Sequence, residues 1–246
     1  MDYSTSCKYS IRLIGKLKLL DTNGLLDFGL INKAIYFAKK YHDGQLRKSG
    51  EPFYSHPLEV AYMISDYNLK TDVIAASILH DVVEDTEVTI NMILETFGQR
   101  VAEMVNRLTR DRPDGTKLSV KEIIRMAYKN GDKEVLLIKI FDRLHNLQNI
   151  HFLTADKQIK VAKETLNTVL LAATYLEDIN IEFIIGNIVN KILDYNPKRD
   201  LLKNQNNRLV EYNDLNHNIQ LTYYFDSLIN QFLECNQNFY LQYYQL

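Results

Sequence analysis

Up to Pro197 the apolar residues of this chain recur at intervals of three and four, the period of an amphipathic helix, and no segment shows the alternation of a strand. The stretch DFGLINKAIYFAKKYHD puts Leu30, Ile31, Ala34, Ile35, Phe37, Ala38 and Tyr41 at helical spacing. HPLEVAYMISDY predicts a second helix, with Pro57 at its first position and Glu59 in its first turn, where both are favoured. TDVIAASILHDVV is apolar on every side, the mark of a buried helix. Thr89 is placed to cap INMILETF and Gly98 to end it, and QRVAEMVNRLTR follows as a further helix. RDRPDGTKL has the composition of a loop. Ser119 and Glu122 form a capping box for VKEIIRMAYK, which Asn130-Gly131 breaks before DKEVLLIKIFDRLHNLQNI. Further helices are expected from Thr154 to about Leu176 and from about Ile179 to Leu193. There is no internal repeat. The expectation is an all-α fold, a helical bundle of about eight to ten helices.

The composition changes after Pro197. Residues 203–246 are rich in Asn, Gln and Tyr, with a helix expected near Leu215 to Cys235. The chain is thus expected to divide into a lead-in (1–26), a helical body (27–197) and a partly helical C-terminal segment (198–246), for which packing on the body, self-association and partial mobility are all open. Its 246 residues, 46% of them apolar, suffice for a substantial core. A formal charge of −2 gives no general attraction to nucleic acid or membrane. Cys7 and Cys235 stand at opposite ends without CxxC spacing, so a reduced, cytoplasmic setting is expected and neither reads as a zinc ligand. Lys16 and Lys18 interrupt the N-terminal apolar stretch, against a signal peptide, and no apolar run is long enough to span a bilayer.

One stretch does not fit a plain core. SILHDVVEDT continues the buried helix yet carries His80, Asp81, Glu84 and Asp85. Carboxylates are costly to bury without a partner. Asp142 raises the same problem among Leu137, Ile138, Ile140, Phe141 and Leu144. The face formed by Val135, Ile138, Asp142, Asn146 and Asn149 turns from apolar to polar at Asp142, as a helix does on entering a site. His56 stands at the start of another helix. A single buried histidine is most often a hydrogen-bonded core residue, but three helical segments each offering such groups point elsewhere. Two imidazoles and two carboxylates (His56, His80, Asp81, Asp142) make a mixed ligand set whose charge a divalent cation would offset. Oxygen-rich sets of this kind favour Mn²⁺, or Fe²⁺ or Mg²⁺, over structural zinc.

HDGQLRKSGEPFYSHPLEVA, AASILHDVVEDT and IKIFDRLHNL resemble, in order and spacing, the hydrolase half of the RelA/SpoT alarmone enzymes within the HD-domain superfamily of metal-dependent phosphohydrolases. The resemblance runs from about Ile31 to Ile192. It implies hydrolysis of ppGpp or pppGpp to GDP or GTP with release of pyrophosphate from the 3′ position. It implies metal ligation by His56, His80, Asp81 and Asp142, activation of water by Glu84 and Asp85, and nucleotide contacts from Arg47, Lys48, Ser49 and Asn146.

Two departures qualify it. After DRLHN the chain reads LQNI, where the family commonly has a basic residue and then Thr, so Asn149 brings a larger amide group to a nucleotide-side position and the Gln148-Asn149 departure leaves base recognition open. Phe141 replaces a usually small residue beside Asp142. No basic, Gly-rich motif follows Pro197, so alarmone synthesis is not expected. The alternatives are an HD phosphohydrolase for another nucleotide, such as NADPH, and a weakly catalytic alarmone-binding module. The Glu84-Asp85 pair argues against the latter, since a pure binder needs no activated water.

Overall fold

Nine α-helices follow one another among the described residues of the computed structural model, which are 6–111, 115–154 and the single positions 157, 158, 160, 161, 165 and 172. They are α1 (Lys8–Leu20), α2 (Phe28–Tyr41), α3 (Ser55–Ile64), α4 (Thr71–Leu79), α5 (Val82–Asp85), α6 (Ile90–Phe97), α7 (Gln99–Leu108), α8 (Val120–Lys129) and α9 (Lys133–Gln148), followed by a 3₁₀ turn at Ile150–Phe152. No strand occurs among them, only isolated bridges pairing Leu46 with Pro52 and Asp111 with Lys117. The all-α expectation holds. Of the helix expected from Thr154 to Leu176, Thr154 is described and lies outside a helix, and beyond it six scattered residues are described, all helical. The helices expected at Ile179–Leu193 and Leu215–Cys235 lie outside the described residues.

α4 is the axis of the molecule. It packs on α2, α3 and α7, and every residue from Val73 to Leu79 is buried. Burying a side chain the size of Ile74, Ile78 or Leu79 stabilises the fold by about 1.5–3 kcal/mol each. α3 lies between α4 and α9, and this sandwich brings the polar ends of all three together. On the outer side α1 covers α3, burying Leu13 and Leu17, with Arg12 donating to both carboxylate oxygens of Glu59 at 2.9 Å. α8 begins with the expected capping box, Ser119 Oγ accepting from Glu122 N at 3.2 Å while Glu122 accepts from Ser119 N at 2.7 Å.

Three expectations are corrected. α3 starts at Ser55, two residues before Pro57, because the tight turn at Pro52–Tyr54 already coils the backbone. Pro57 is tolerated there since amides of a first turn lack helical acceptors in any case. Glu59 consequently falls beyond the first turn and serves Arg12 instead. The third correction is that TDVIAASILHDVV is not one helix: α4 ends at Leu79 and α5 resumes at Val82.

Gly98 has φ +86° and ψ 170°, joining α6 to α7 in a region open to glycine almost alone. Gly98→Ala is expected to lower unfolding free energy by about 1–3 kcal/mol, read from the urea midpoint at unchanged m-value.

Candidate metal and phosphate site

The break between α4 and α5 builds the centre of the site. His80 Nδ1 donates to the carbonyl of Ser77 at 2.8 Å, taking the acceptor that the next helical amide would use. The ladder lapses at His80 and Asp81, then restarts as Glu84 N and Asp85 N bond to Asp81 O at 3.1 and 3.0 Å. Thr86 Oγ1 donates to Val82 O at 2.5 Å and stops the short α5. The interruption turns Asp81 back across His80 while Glu84 reaches forward.

His56 from α3 and Asp142 from α9 meet this pair. His56 Nε2 lies 3.2 Å from Asp142 Oδ1 and 3.4 Å from Asp81 Oδ2. His80 Nε2 lies 3.1 Å from Asp81 Oδ1 and 3.9 Å from Asp142 Oδ1. The donor atoms of His56, His80 and Asp142 all fall within 4.8 Å of one another, and all three residues are buried. His80 Nε2 is buried yet has no hydrogen bond of acceptable geometry. Its Nδ1 carries the proton, so in the neutral ring Nε2 turns a lone pair to the cluster. An orphaned imidazole nitrogen, a second one opposite and two carboxylates fit a divalent cation, which would bind to these four residues.

The local pKa values express the same demand. Burial keeps His56 below the usual range against the pull of Asp142 and Asp81. At His80 burial acts in the same direction, but Asp81 and then Asp142 overcome it and raise the group to about 9. Asp142 is held well below the usual carboxylate range in spite of its burial, by Lys139 first and then by the two histidines. Without a cation, positive charge must therefore come from the protein. A cation supplies it directly.

Several participants were missed in the sequence. Lys139 Nζ lies 3.0 Å from Asp142 Oδ2, and its side chain is only 5% exposed. Its signal was a lysine at i−3 to Asp142 within an apolar run. His145 Nδ1 lies 2.7 Å from His56 Nδ1, and burial, His56 and Arg47 push it down to about 3. Arg110 N donates to Glu84, a link across a loop that no local pattern announces.

The cluster opens into a cavity of about 460 Å³. Arg47, Lys48 and Ser49 wall one side, and Lys139, Arg143, Asn146 and Asn149 the other. Asn146 donates to Asp142 Oδ1 at 2.7 Å and accepts from Arg47 Nη2 at 3.1 Å, wiring the arginine to the cluster. Ser49 Oγ and Arg143 Nε are buried without partners in this wall. Glu84 lines the cavity, whereas Asp85 does not, and Gln45 holds its backbone carbonyl at 2.9 Å. Asn149 directs its amide nitrogen to His145 O at 2.8 Å. Phe141 faces away, its ring 5.1 Å from that of Tyr67, so its bulk does not enter the cluster.

Among the described residues no helix is long and apolar enough to cross a membrane. The chain is 34% identical over 195 residues to a probable guanosine-3′,5′-bis(diphosphate) 3′-pyrophosphohydrolase of Mycoplasma genitalium, covering 75% of this chain and 26% of that one. It is 35% identical over 178 residues to a GTP pyrophosphokinase of Myxococcus xanthus, covering 64% and 23%. It thus spans about a quarter of the length of these relatives. A solved structure of a metazoan SpoT ortholog, described as hydrolysing ppGpp and acting in starvation responses, superposes with a TM-score of 0.54 at 24% identity, over 67% of this chain and 96% of that one. The sequence matches the HD-domain family over residues 34–169. With that match spanning more than half the chain, and with its paired histidines and aspartates converging at the break of α4, the protein belongs to the HD-domain family.

Proposed function

We propose that this chain is a Mn²⁺-dependent 3′-pyrophosphohydrolase of ppGpp and pppGpp, acting in the cytoplasm, with residues 198–246 available for self-association. The observation that carries the reading is the junction of two features: a buried ligand cluster with an orphaned histidine nitrogen, and a cavity wall supplying Arg47, Lys48, Lys139 and Arg143 beside it. A bis(diphosphate) nucleotide repels an attacking oxygen until its charge is neutralised, which these cations do. Arg47 and Ser49 bind the nucleotide, and Asn146 holds Arg47 in register with Asp142. The cation, when bound, polarises a phosphoryl oxygen and acidifies water. Glu84, in the cavity wall and fixed by Arg110 N, takes the proton from the water, with Asp85 behind it as the second member of the pair. Water oxygen joins phosphorus, the ribose 3′-oxygen leaves and is protonated, and pyrophosphate departs.

Purified protein with Mn²⁺ and, separately, ppGpp, GTP and NADPH tests this. Pyrophosphate from ppGpp is expected. Phosphate from NADPH instead would transfer the site to another nucleotide, a reading that Asn149 in the cavity wall leaves open. The pH profile adds a second check. Burial, then Asp81 and Glu84, raise the Asp85 carboxyl to about 6. An acidic group assisting proton removal must be ionised, so kcat/KM should rise with pH through a limb at or below about 6 and then level. Asp85→Asn should remove that limb. A limb surviving unchanged in the variant counts against Asp85.

A further inference from the structure

His145 stands outside the cavity, behind His56, with ring centroids 4.7 Å apart and the two Nδ1 atoms at 2.7 Å. At His80 the tautomer is fixed by a carbonyl, which can only accept. His56 has no such carbonyl. Its Nδ1 faces another imidazole nitrogen, and a hydrogen bond between two neutral rings requires one proton between them. With that proton on His56, its Nε2 offers a lone pair toward Asp142 and Asp81. With the proton on His145, the neutral His56 ring carries its own proton on Nε2 and offers none.

We infer that His145 is a positioning residue of the cation site: by accepting at Nδ1 it holds His56 as the Nδ1–H tautomer and aims Nε2 at the cluster. Asn149 Nδ2 donates to His145 O at 2.8 Å and also lies 3.4 Å from His145 Nε2, a contact too long to fix the proton of that ring against the 2.7 Å pair of Nδ1 atoms. The required tautomer puts the His145 proton on Nε2, and the residue borders a second cavity of about 470 Å³ with Ser55 and Gln148 in its wall, where water can accept that proton. Ligating histidines commonly donate to a carboxylate or a backbone carbonyl. An imidazole in this place accepts without adding a third negative charge to a buried group that already contains Asp81 and Asp142.

The inference rests on the cluster being a cation site, and it is independent of which nucleotide is hydrolysed. Mn²⁺ titration of the metal-free protein tests it with two variants of matched shape. His145→Leu removes the acceptor, while His145→Asn places an amide oxygen near the former Nδ1. The Leu variant should bind Mn²⁺ about 10–100-fold more weakly than wild type, and the Asn variant should recover most of that loss. Equal affinities in wild type and the Leu variant, or equal losses in both variants, overturn the inference. Wild type that binds no Mn²⁺ overturns the cation reading itself, and this inference with it. A measurement needing no variant is the ¹H–¹⁵N correlation spectrum of the wild-type imidazoles loaded with diamagnetic Zn²⁺. A proton on His56 Nδ1 and none on His145 Nδ1 is expected, and the reverse overturns the assignment.

Discussion

Asp142→Ala is expected to abolish Mn²⁺ binding and hydrolysis together and to destabilise the metal-free protein. The three losses have one origin. Asp142 Oδ1 faces His56 Nε2 at 3.2 Å and accepts from Asn146 at 2.7 Å, so its removal takes away a ligand and releases the Asn146–Arg47 link. Its other oxygen faces Lys139 at 3.0 Å, with both side chains almost fully buried. Removing one partner of a buried ion pair leaves the other charge uncompensated, at a cost of about 3–5 kcal/mol. The double variant Asp142→Ala, Lys139→Met should recover much of that stability while leaving metal binding abolished. Calorimetric titration with Mn²⁺ and urea unfolding of the metal-free proteins separate the two effects. Wild-type Mn²⁺ affinity in Asp142→Ala would remove this residue from the site.

Glu84→Gln should behave in the opposite way, keeping the metal and losing the reaction. Glu84 is not part of the ligand cluster, and its carboxylate is tied to Arg110 N at the cavity wall. Glutamine keeps the shape and the acceptor oxygen for that amide but cannot take up a proton from water. Removing a positioned general base typically costs about 10²–10⁴-fold in rate. The loss should appear in kcat, with KM and Mn²⁺ affinity near wild type, because the nucleotide contacts and ligands are untouched. A KM effect without a kcat effect would make Glu84 a binding residue instead.

The two variants probe features that were unequally visible beforehand. The helices were legible because periodicity and caps are local: Thr89, Ser119 and Gly98 each act within a few residues of themselves. The residues that meet in the cluster were legible because charge inside an apolar run needs compensation, and His80, Asp81 and Asp142 each stood in such a run. The helix break at His80 and Asp81 was not. It depends on an imidazole rotating onto Ser77 O, a competition between side chain and backbone that the apolar pattern does not register.

Lys139 and His145 were passed over for a related reason. Each is an ordinary helical residue until its neighbour is known, and for His145 that neighbour is His56, 89 positions away. The division between Glu84 in the cavity and Asp85 outside it likewise follows from where α5 points after the break. The sequence by itself determined the helical class, most of the helix boundaries and the four groups whose charge needs compensation, since these follow from spacing and from the cost of burying charge. Only the tertiary structure decided which atoms meet, because hydrogen bonds and ion pairs act over a few ångströms and chain separation says nothing about that distance.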